Sequence, residues 1–250
     1  MASGEKLYTD HASLYDAAFD WDDRDKVVAI AGLSGLTTGR VLEPMCGSGR
    51  MTAAFAAEGF ATVGVDNSRA MLDLASLRFA RRGLVGEWLE ADVTDFDLDE
   101  ACELAVCPIN SLAHLQTAPL MLAHLRAMAR NLYSNASYWI QLDLKNPEDV
   151  GAAEAWDFEY RGATVRCEWA CSDYDGGYET HISRYCFSDG RVEEERYRMK
   201  VWSFADWSAL LARSSFELAG AYTGDAFAPL PRNESLNGAH VFWQQLVKTR

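Results

Sequence analysis

Between residues 40 and 145 short apolar runs alternate with stretches of helical periodicity, a rhythm that predicts a parallel sheet flanked by helices. The first run, around Val41 and Leu42, ends at Glu43 and passes through a Gly-x-Gly turn (Gly47, Gly49) into a helix-like segment over 51–57. A second run over 61–65 closes on Asp66, with Asn67-Ser68 and a helical pattern behind it (Ala70, Met71, Leu74, Ala75). The third ends in Glu90-Ala91-Asp92-Val93, and the fourth, over 104–107, leads into Pro108-Ile109-Asn110-Ser111. Residues 117–132 predict a helix capped by Thr117, with Pro119 in the first turn, where a missing N–H costs nothing. A fifth strand is expected over 137–144, broken by Asn146-Pro147-Glu148.

Beyond residue 149 the period falls to two. Residues 165–170, 178–187 and 192–201 alternate apolar and polar positions around two hairpin signals, Asp175-Gly176-Gly177 and Ser188-Asp189-Gly190. This predicts an antiparallel insert. Phe204, Trp207, Leu210 and Leu211 mark an amphipathic helix, followed by strands near 217–223 and 240–247. At the N-terminus His11, Tyr15 and Phe19 have helical spacing among acids.

The strand ends carry the chemistry. Gly47 and Gly49 allow a sharp turn and a close approach of backbone to ligand, and the helix behind them points free N–H groups at the same place. Asp66, about 20 residues on, stands where a βαβ unit grips a ribose diol. Three strand-end acids (Glu43, Asp66, Asp92) suit a ligand with an amine, a ribose and an adenine edge, and would repel a pyrophosphate. The turn also lacks the third glycine of G-x-G-x-x-G, which disfavours a dehydrogenase.

These residues resemble the cofactor motifs of class I S-adenosylmethionine-dependent methyltransferases: Glu43-x-x-x-Gly47-x-Gly49, Asp66 closing strand two, Asp92 after strand three, and the segment behind strand four. Met45 departs from the family, which often has a further glycine there. The resemblance implies a Rossmann-like, mostly parallel seven-stranded sheet with helices on both faces, its last hairpin antiparallel. It implies one domain over 1–250: an N-terminal helical cap (1–35), a cofactor-binding core (36–145), the β insert (149–201) as a substrate cap, and a C-terminal helix and hairpin (202–250). The cofactor implied is S-adenosyl-L-methionine, leaving as S-adenosyl-L-homocysteine. Its expected contacts are Tyr15, Glu43, Met45, Gly47, Gly49, Arg50, Asp66, Asn67, Asp92, Val93, Pro108 and Asn110. Asp66 would take the ribose hydroxyls and Asp92 the adenine amino group, with the Val93 N–H nearby. Glu43 would order the glycine loop or reach the methionine ammonium. Arg50 reads either as a carboxylate binder or as a solvated first-turn arginine. Tyr15 resembles the N-terminal tyrosine that small-molecule members fold over the methionyl end.

Charge and composition narrow the partners. Among 250 residues, 37 acids face 23 bases, for a net charge of −14. No basic track is visible for a phosphate backbone, so no nucleic-acid partner is expected. No apolar stretch is long enough to span a bilayer, and the N-terminus has no apolar targeting core, so a cytoplasmic protein without a membrane partner is expected. Six cysteines lie scattered without metal-site spacing, and no metal is assigned. A monomer or homodimer is expected.

The acceptor side is less determined. His114 and Tyr15 are the candidate catalytic residues, His114 as a general base or else as a packed helix-start histidine. Candidate acceptor contacts are Tyr8, Trp21, Ser111, Asp143, Trp156, Trp169, Arg166 and Arg184, although aromatics on alternating strands also read as one face packing on a core. An aromatic, acidic pocket favours an amine nucleophile, since a cation is stabilised over π faces. The expected reaction is N-methylation of a small amine or nitrogen heterocycle. O-methylation of a hydroxyl or carboxylate is the alternative, favoured if Arg166 or Arg184 reaches the pocket. A non-catalytic S-adenosylmethionine-binding protein is the reading of another class.

Overall fold

The computed structural model describes residues 6–146, 149, 151–238 and 242–249. Two N-terminal helices, α1 (Ala12–Ala18) and α2 (Arg24–Leu33), precede the alternating region. That region runs β1 (Arg40–Pro44), α3 (Arg50–Ala57), β2 (Ala61–Asp66), α4 (Arg69–Arg82), β3 (Glu87–Glu90), β4 (Cys102–Cys107), α5 (Ala118–Asn131) and β5 (Leu132–Ile140). Four long strands follow: β6 (Ala152–Tyr160), β7 (Ala163–Asp175), β8 (Tyr178–Phe187) and β9 (Val192–Lys200). The chain then closes with α6 (Phe204–Leu211), β10 (Phe216–Thr223) and β11 (Phe242–Lys248).

The main sheet has seven strands in the order β10-β11-β5-β4-β1-β2-β3. β1 to β5 pair in parallel, while β11 runs antiparallel to both β5 and β10. This is the Rossmann-like sheet expected. Strand order reverses between β1 and β4, so the carboxyl ends of these two strands open the crevice where an open α/β sheet binds ligands. One apolar cluster joins Leu42, Val65, Ala105 and Tyr138 to α5 and α6. A second, on Val41, Phe55, Trp139 and Trp243, packs α2 and α3.

Local chemistry fixes the helix ends. Ser68 Oγ accepts the Met71 N–H at the start of α4, and left-handed Gly83 ends the helix behind Arg81 and Arg82. Thr117 caps α5, and Ser203 with Asp206 forms a reciprocal capping box on α6.

Two expectations need correction. The fifth strand occupies 132–140 rather than 137–144; the Gln141 N–H still bonds the Cys107 carbonyl at 2.9 Å, but Leu144 only bridges Trp202 and Asn237. The insert has four antiparallel strands, not three, in the order β6-β7-β8-β9. β6 turns into β7 through Arg161-Gly162, both at positive φ (52° and 79°). That is a tight hairpin turn in which arginine holds the place usually given to asparagine or glycine. The expected start of the last strand at His240 lies outside the described residues. Among the described residues no helix is long and apolar enough to cross a membrane.

Candidate functional site

The glycine turn is clamped to the end of β2 by one carboxylate. Asp66 Oδ2 accepts the Gly47 N–H at 2.8 Å, while Oδ1 accepts the Ser68 N–H at 2.8 Å. Each oxygen has a further lone pair for a ligand diol. Burial pushes the Asp66 carboxyl up, and the backbone N–H groups of Ser68 and Gly47 counter it.

The two glycines do different work. Gly47 (φ 51°) lines the cavity, and a Cβ there would meet only Met71 Sδ, 4.0 Å away. Gly49 (φ 70°) lies behind the turn, where a Cβ would come within 2.8 Å of Trp88 Cη2 and 3.0 Å of Ala75 Cβ. Its place in the sequence suggested a ligand contact; the structure makes it a packing position. Met45 also lines the cavity and holds φ at 56°, a conformation that costs a non-glycine residue roughly 1–2 kcal/mol.

Glu43 ends β1 almost fully buried, at 3% exposure. Its Oε2 accepts both the Thr52 N–H (2.7 Å) and the Thr52 hydroxyl. Burial pushes its carboxyl up to about 8 despite those two donors. A buried acid in this state favours a cationic ligand, which would restore its charge. Arg50, read as either a carboxylate binder or a solvated first-turn arginine, pairs with buried Asp23 and lies 5.2 Å over the Trp21 ring, so the guanidinium is already engaged on the cavity wall. Burial lowers its pKa.

The N-terminal segment closes the cavity from above. Ser68 Oγ donates to the Tyr8 carbonyl, and Arg78 holds Asp16 and Asp20, each at 2.6 Å, as well as the Ser48 carbonyl at 3.2 Å. Tyr8 meets Tyr15 edge-on at 5.2 Å, and Tyr15 stacks on Phe19 at 4.5 Å. Below them Tyr8 Oη lies 3.1 Å from His114 Nε2. Burial, aided by His181, lowers the His114 imidazole to about 4, which leaves it neutral at pH 7. His114 stacks on Tyr197 and Tyr197 on His181, whose Nε2 lies 3.0 Å from Glu179 Oε1. Burial would raise that carboxyl, but hydrogen bonds from His181 and Lys145 outweigh it and hold Glu179 at about 2.

Two loops complete the walls. Asp92 Oδ1 closes an Asx turn by accepting the Thr94 N–H (2.8 Å) and hydroxyl (2.7 Å). The Val93 carbonyl is fixed by buried His124, whose other nitrogen meets Tyr138 Oη at 2.9 Å. His124 thus braces the loop, a role the sequence reading did not give it. After β4, Ile109 and Asn110 both take positive φ (50° and 59°). The Ile109 N–H donates to Gln141 Oε1 (2.8 Å), Asn110 Oδ1 accepts the Asp143 N–H (3.1 Å), and Ser111 Oγ donates to the Pro108 carbonyl (2.9 Å). A β-branched residue at positive φ costs of order 1–3 kcal/mol.

The resulting cavity has a volume of about 360 Å³. Asn67, Pro108, Ser111 and His114 line it beside the residues already placed there, whereas Asn110 braces the loop and Asp143 receives that brace. Arg166 and Arg184 do not line it. They sit half-exposed on the outer face of the second sheet, paired with Asp157 and Glu194. Trp169 packs on His181, and Trp156 donates to the Ala18 carbonyl at 2.8 Å, tying α1 to β6. Trp21 covers Arg50 from outside, 43% exposed. Cys46, Ser48, Ile109 and Leu120, which the sequence reading passed over, do line the cavity. Cys46 and Ser48 could have been found as the turn's non-glycine positions.

Among the described lining residues four acids (Asp16, Glu43, Asp66, Asp92) face one arginine that is already paired. Such a lining welcomes a cation and a diol and repels phosphates. On this strand order, that chemistry suits a cationic adenosine cofactor such as S-adenosylmethionine. Residues 41–135 match the family described as a methyltransferase domain. Over 236 residues the chain is 29% identical to a dTDP-4-amino-2,3,4,6-tetradeoxy-D-glucose N,N-dimethyltransferase of Saccharopolyspora spinosa, covering 91% of this chain and 86% of that protein. Its fold is similar to that of an amino pentose methyltransferase from Micromonospora echinaspora, involved in calicheamicin biosynthesis and solved with S-adenosylmethionine bound. The two share 19% identity at a TM-score of 0.74, with 94% of this chain and 97% of that one covered. A sugar N-methyltransferase from a Streptoalloteichus species gives 18% identity and a TM-score of 0.74, with 100% of this chain and 94% of that one covered. Over residues 41–135 the chain is thus similar to a methyltransferase domain, and its fold is the one these small-molecule methyltransferases share.

Proposed function

We propose that the protein methylates the amino group of a small deoxygenated amino sugar. The observation that carries this reading is the acidic lining of the cavity: Glu43, Asp66 and Asp92 without a basic side-chain partner, Asp16 paired with Arg78, and a single lining arginine among the described residues, occupied by Asp23 and Trp21. That environment favours an amine and its developing positive charge over a carboxylate or phenolate acceptor. The curated relative, named for N,N-dimethylation of an amino sugar, points the same way. Arg166 or Arg184 in the pocket would have favoured the O-methylation alternative, and neither lines it.

In this reading Asp66 holds the ribose diol, Glu43 the methionyl ammonium, and the Asp92-Val93 turn the adenine edge. The bound cofactor supplies an electrophilic methyl on a sulfonium. The protein's task is to hold the acceptor nitrogen in line, about 3–3.5 Å from that methyl. Neutral His114 accepts a hydrogen bond from the Tyr8 hydroxyl, and the Tyr8 oxygen in turn accepts an N–H of the unprotonated acceptor amine and aims its lone pair; the methylated ammonium then gives its proton to solvent. A histidine held near 4 is a poor base at pH 7. His114 therefore orients the amine through Tyr8 rather than deprotonating it.

The test is transfer of labelled methyl from S-adenosylmethionine to a 4-amino-4-deoxy sugar nucleotide and to its 4-hydroxy counterpart, with products identified by mass spectrometry. The expected result is a mono- and then dimethylated amine, with the hydroxyl sugar unchanged. Methylation of the hydroxyl alone would overturn the reading. Tight S-adenosylhomocysteine binding without transfer to any amine would favour the non-catalytic one.

A further inference from the structure

Ile109 is the residue of the cavity whose identity its backbone least favours. It is β-branched and holds φ at 50°, where glycine or asparagine would sit without strain. Three side-chain hydrogen bonds keep the loop in that shape: Ile109 N–H to Gln141, Asp143 N–H to Asn110, and Ser111 to the Pro108 carbonyl. Despite that effort the side chain is not packed away. It remains 38% exposed at the cavity, beside Leu120 at 42% exposure and buried Leu115. Three polar side chains of this region are spent on bracing, and what the loop and the start of α5 offer the cavity is an apolar lip. Strain stored at a binding cavity, together with an unburied large apolar side chain, is the mark of a contact completed by a ligand.

We propose that Ile109, with Leu120, is a specificity determinant that packs against a deoxygenated carbon of the acceptor ring and discriminates against acceptors carrying a hydroxyl at that carbon. The inference rests on the amino-sugar reading above and names the feature of the sugar that the site selects. A ring CH₂ against this lip gains apolar burial, whereas a hydroxyl there loses its water against two apolar side chains, with Gln141 Oε1, Asn110 Oδ1 and the Ser111 hydroxyl proton already bonded within the loop. Pockets of this kind separate such pairs by roughly 10–100-fold.

The test uses Ile109→Asn and Ile109→Gly, both of which relieve the backbone while removing the apolar side chain. KM is measured for an amino sugar deoxygenated next to the amine and for its hydroxylated counterpart, alongside melting temperature and S-adenosylhomocysteine affinity. The variants are expected to melt at or above the wild-type temperature and to keep cofactor affinity. Their KM for the deoxygenated sugar rises roughly tenfold and the preference over the hydroxylated sugar collapses. The inference is overturned if wild type does not prefer the deoxygenated sugar, if the variants keep that preference, or if cofactor affinity falls in place of acceptor affinity. If wild type methylates neither amino sugar, the proposed function itself has failed and this inference goes with it.

Discussion

Replacing Gly49 by alanine should destabilise the fold severely, while the same change at Gly47 should chiefly impair cofactor binding. Both glycines hold positive φ, 51° at Gly47 and 70° at Gly49. Each substitution therefore carries a left-handed penalty of roughly 1–2 kcal/mol, offset in part by about 0.4–1 kcal/mol of lost unfolded-state freedom. At Gly49 the new Cβ also meets Trp88 Cη2 at 2.8 Å and Ala75 Cβ at 3.0 Å. Trp88 cannot step back, because its ring meets Phe79 edge-on at 4.8 Å and approaches Gly64 from the other side. Overpacking of that kind adds roughly 1–3 kcal/mol. The net expectation is about 2–4 kcal/mol for Gly49→Ala and about 1 kcal/mol for Gly47→Ala. Urea unfolding followed by tryptophan fluorescence measures both, and calorimetric titration with S-adenosylhomocysteine measures binding. Shrinking the ring in a Trp88→Leu background should return part of the Gly49→Ala loss. The reasoning is refuted if Gly49→Ala unfolds at the wild-type urea concentration, or if Gly47→Ala is the less stable of the two.

Glu43, pushed up to about 8 from an ordinary 4.5, is mostly protonated at pH 7 in the free protein. A folded-state value above the unfolded one favours the fold below about 4.5 and loses that benefit as pH rises to about 8. The melting temperature of the free protein should therefore fall between pH 5 and 8 more steeply in wild type than in Glu43→Gln. Cofactor binding at pH 7 should release close to one proton in wild type and far less in the variant, read by calorimetry in buffers of different ionisation enthalpy. Tyr8→Phe removes the hydroxyl 3.1 Å from His114; kcat on an amine acceptor should drop roughly tenfold, with melting temperature and cofactor affinity nearly unchanged. An unchanged kcat removes Tyr8 from the mechanism. Arg166→Ala and Arg184→Ala break solvent-screened pairs and should leave both the melting temperature and the acceptor KM close to their wild-type values.

The first two βα units were legible because local rules and tertiary structure agree there. The run at Val41 and Leu42, the acid, the turn and the run to Asp66 appear at the residues expected. Asp66 could be anticipated since its partner, Gly47, is 19 residues away and fixed by strand pairing. The duty of Gly49 could not, because it depends on where Trp88 falls after β3 docks on β2. Arg166 and Arg184 were placed on the wrong side of the insert although period two held the answer. Val165 and Cys167 are buried, so Arg166 between them must face outward. β6 escaped notice because its first half (Ala152-Ala153-Glu154-Ala155) shows no alternation and its turn, Arg161-Gly162, carries no usual hairpin signal. The Tyr8–His114 contact joins residues 106 apart and becomes visible only once the N-terminal segment is folded over the sheet.

The first helix has one further effect, on the order of events in turnover. It is bound below through Asp16 and Asp20 to Arg78, and above through Leu14 and Ala18, which pack on Val165, Cys167 and Tyr185 of the second sheet. One piece of chain thus closes the cavity that the proposed function gives to both cofactor and acceptor. Exchange of spent cofactor has to lift it, and lifting it opens the acceptor side as well. Two methyl transfers to one nitrogen are then separated by an open interval in which the singly methylated product is free to leave. If the proposed reaction runs to the dimethyl amine, it is expected to be distributive, with the monomethyl amine accumulating first, and higher ionic strength is expected to shorten the dwell between rounds by loosening the arginine–aspartate pairs.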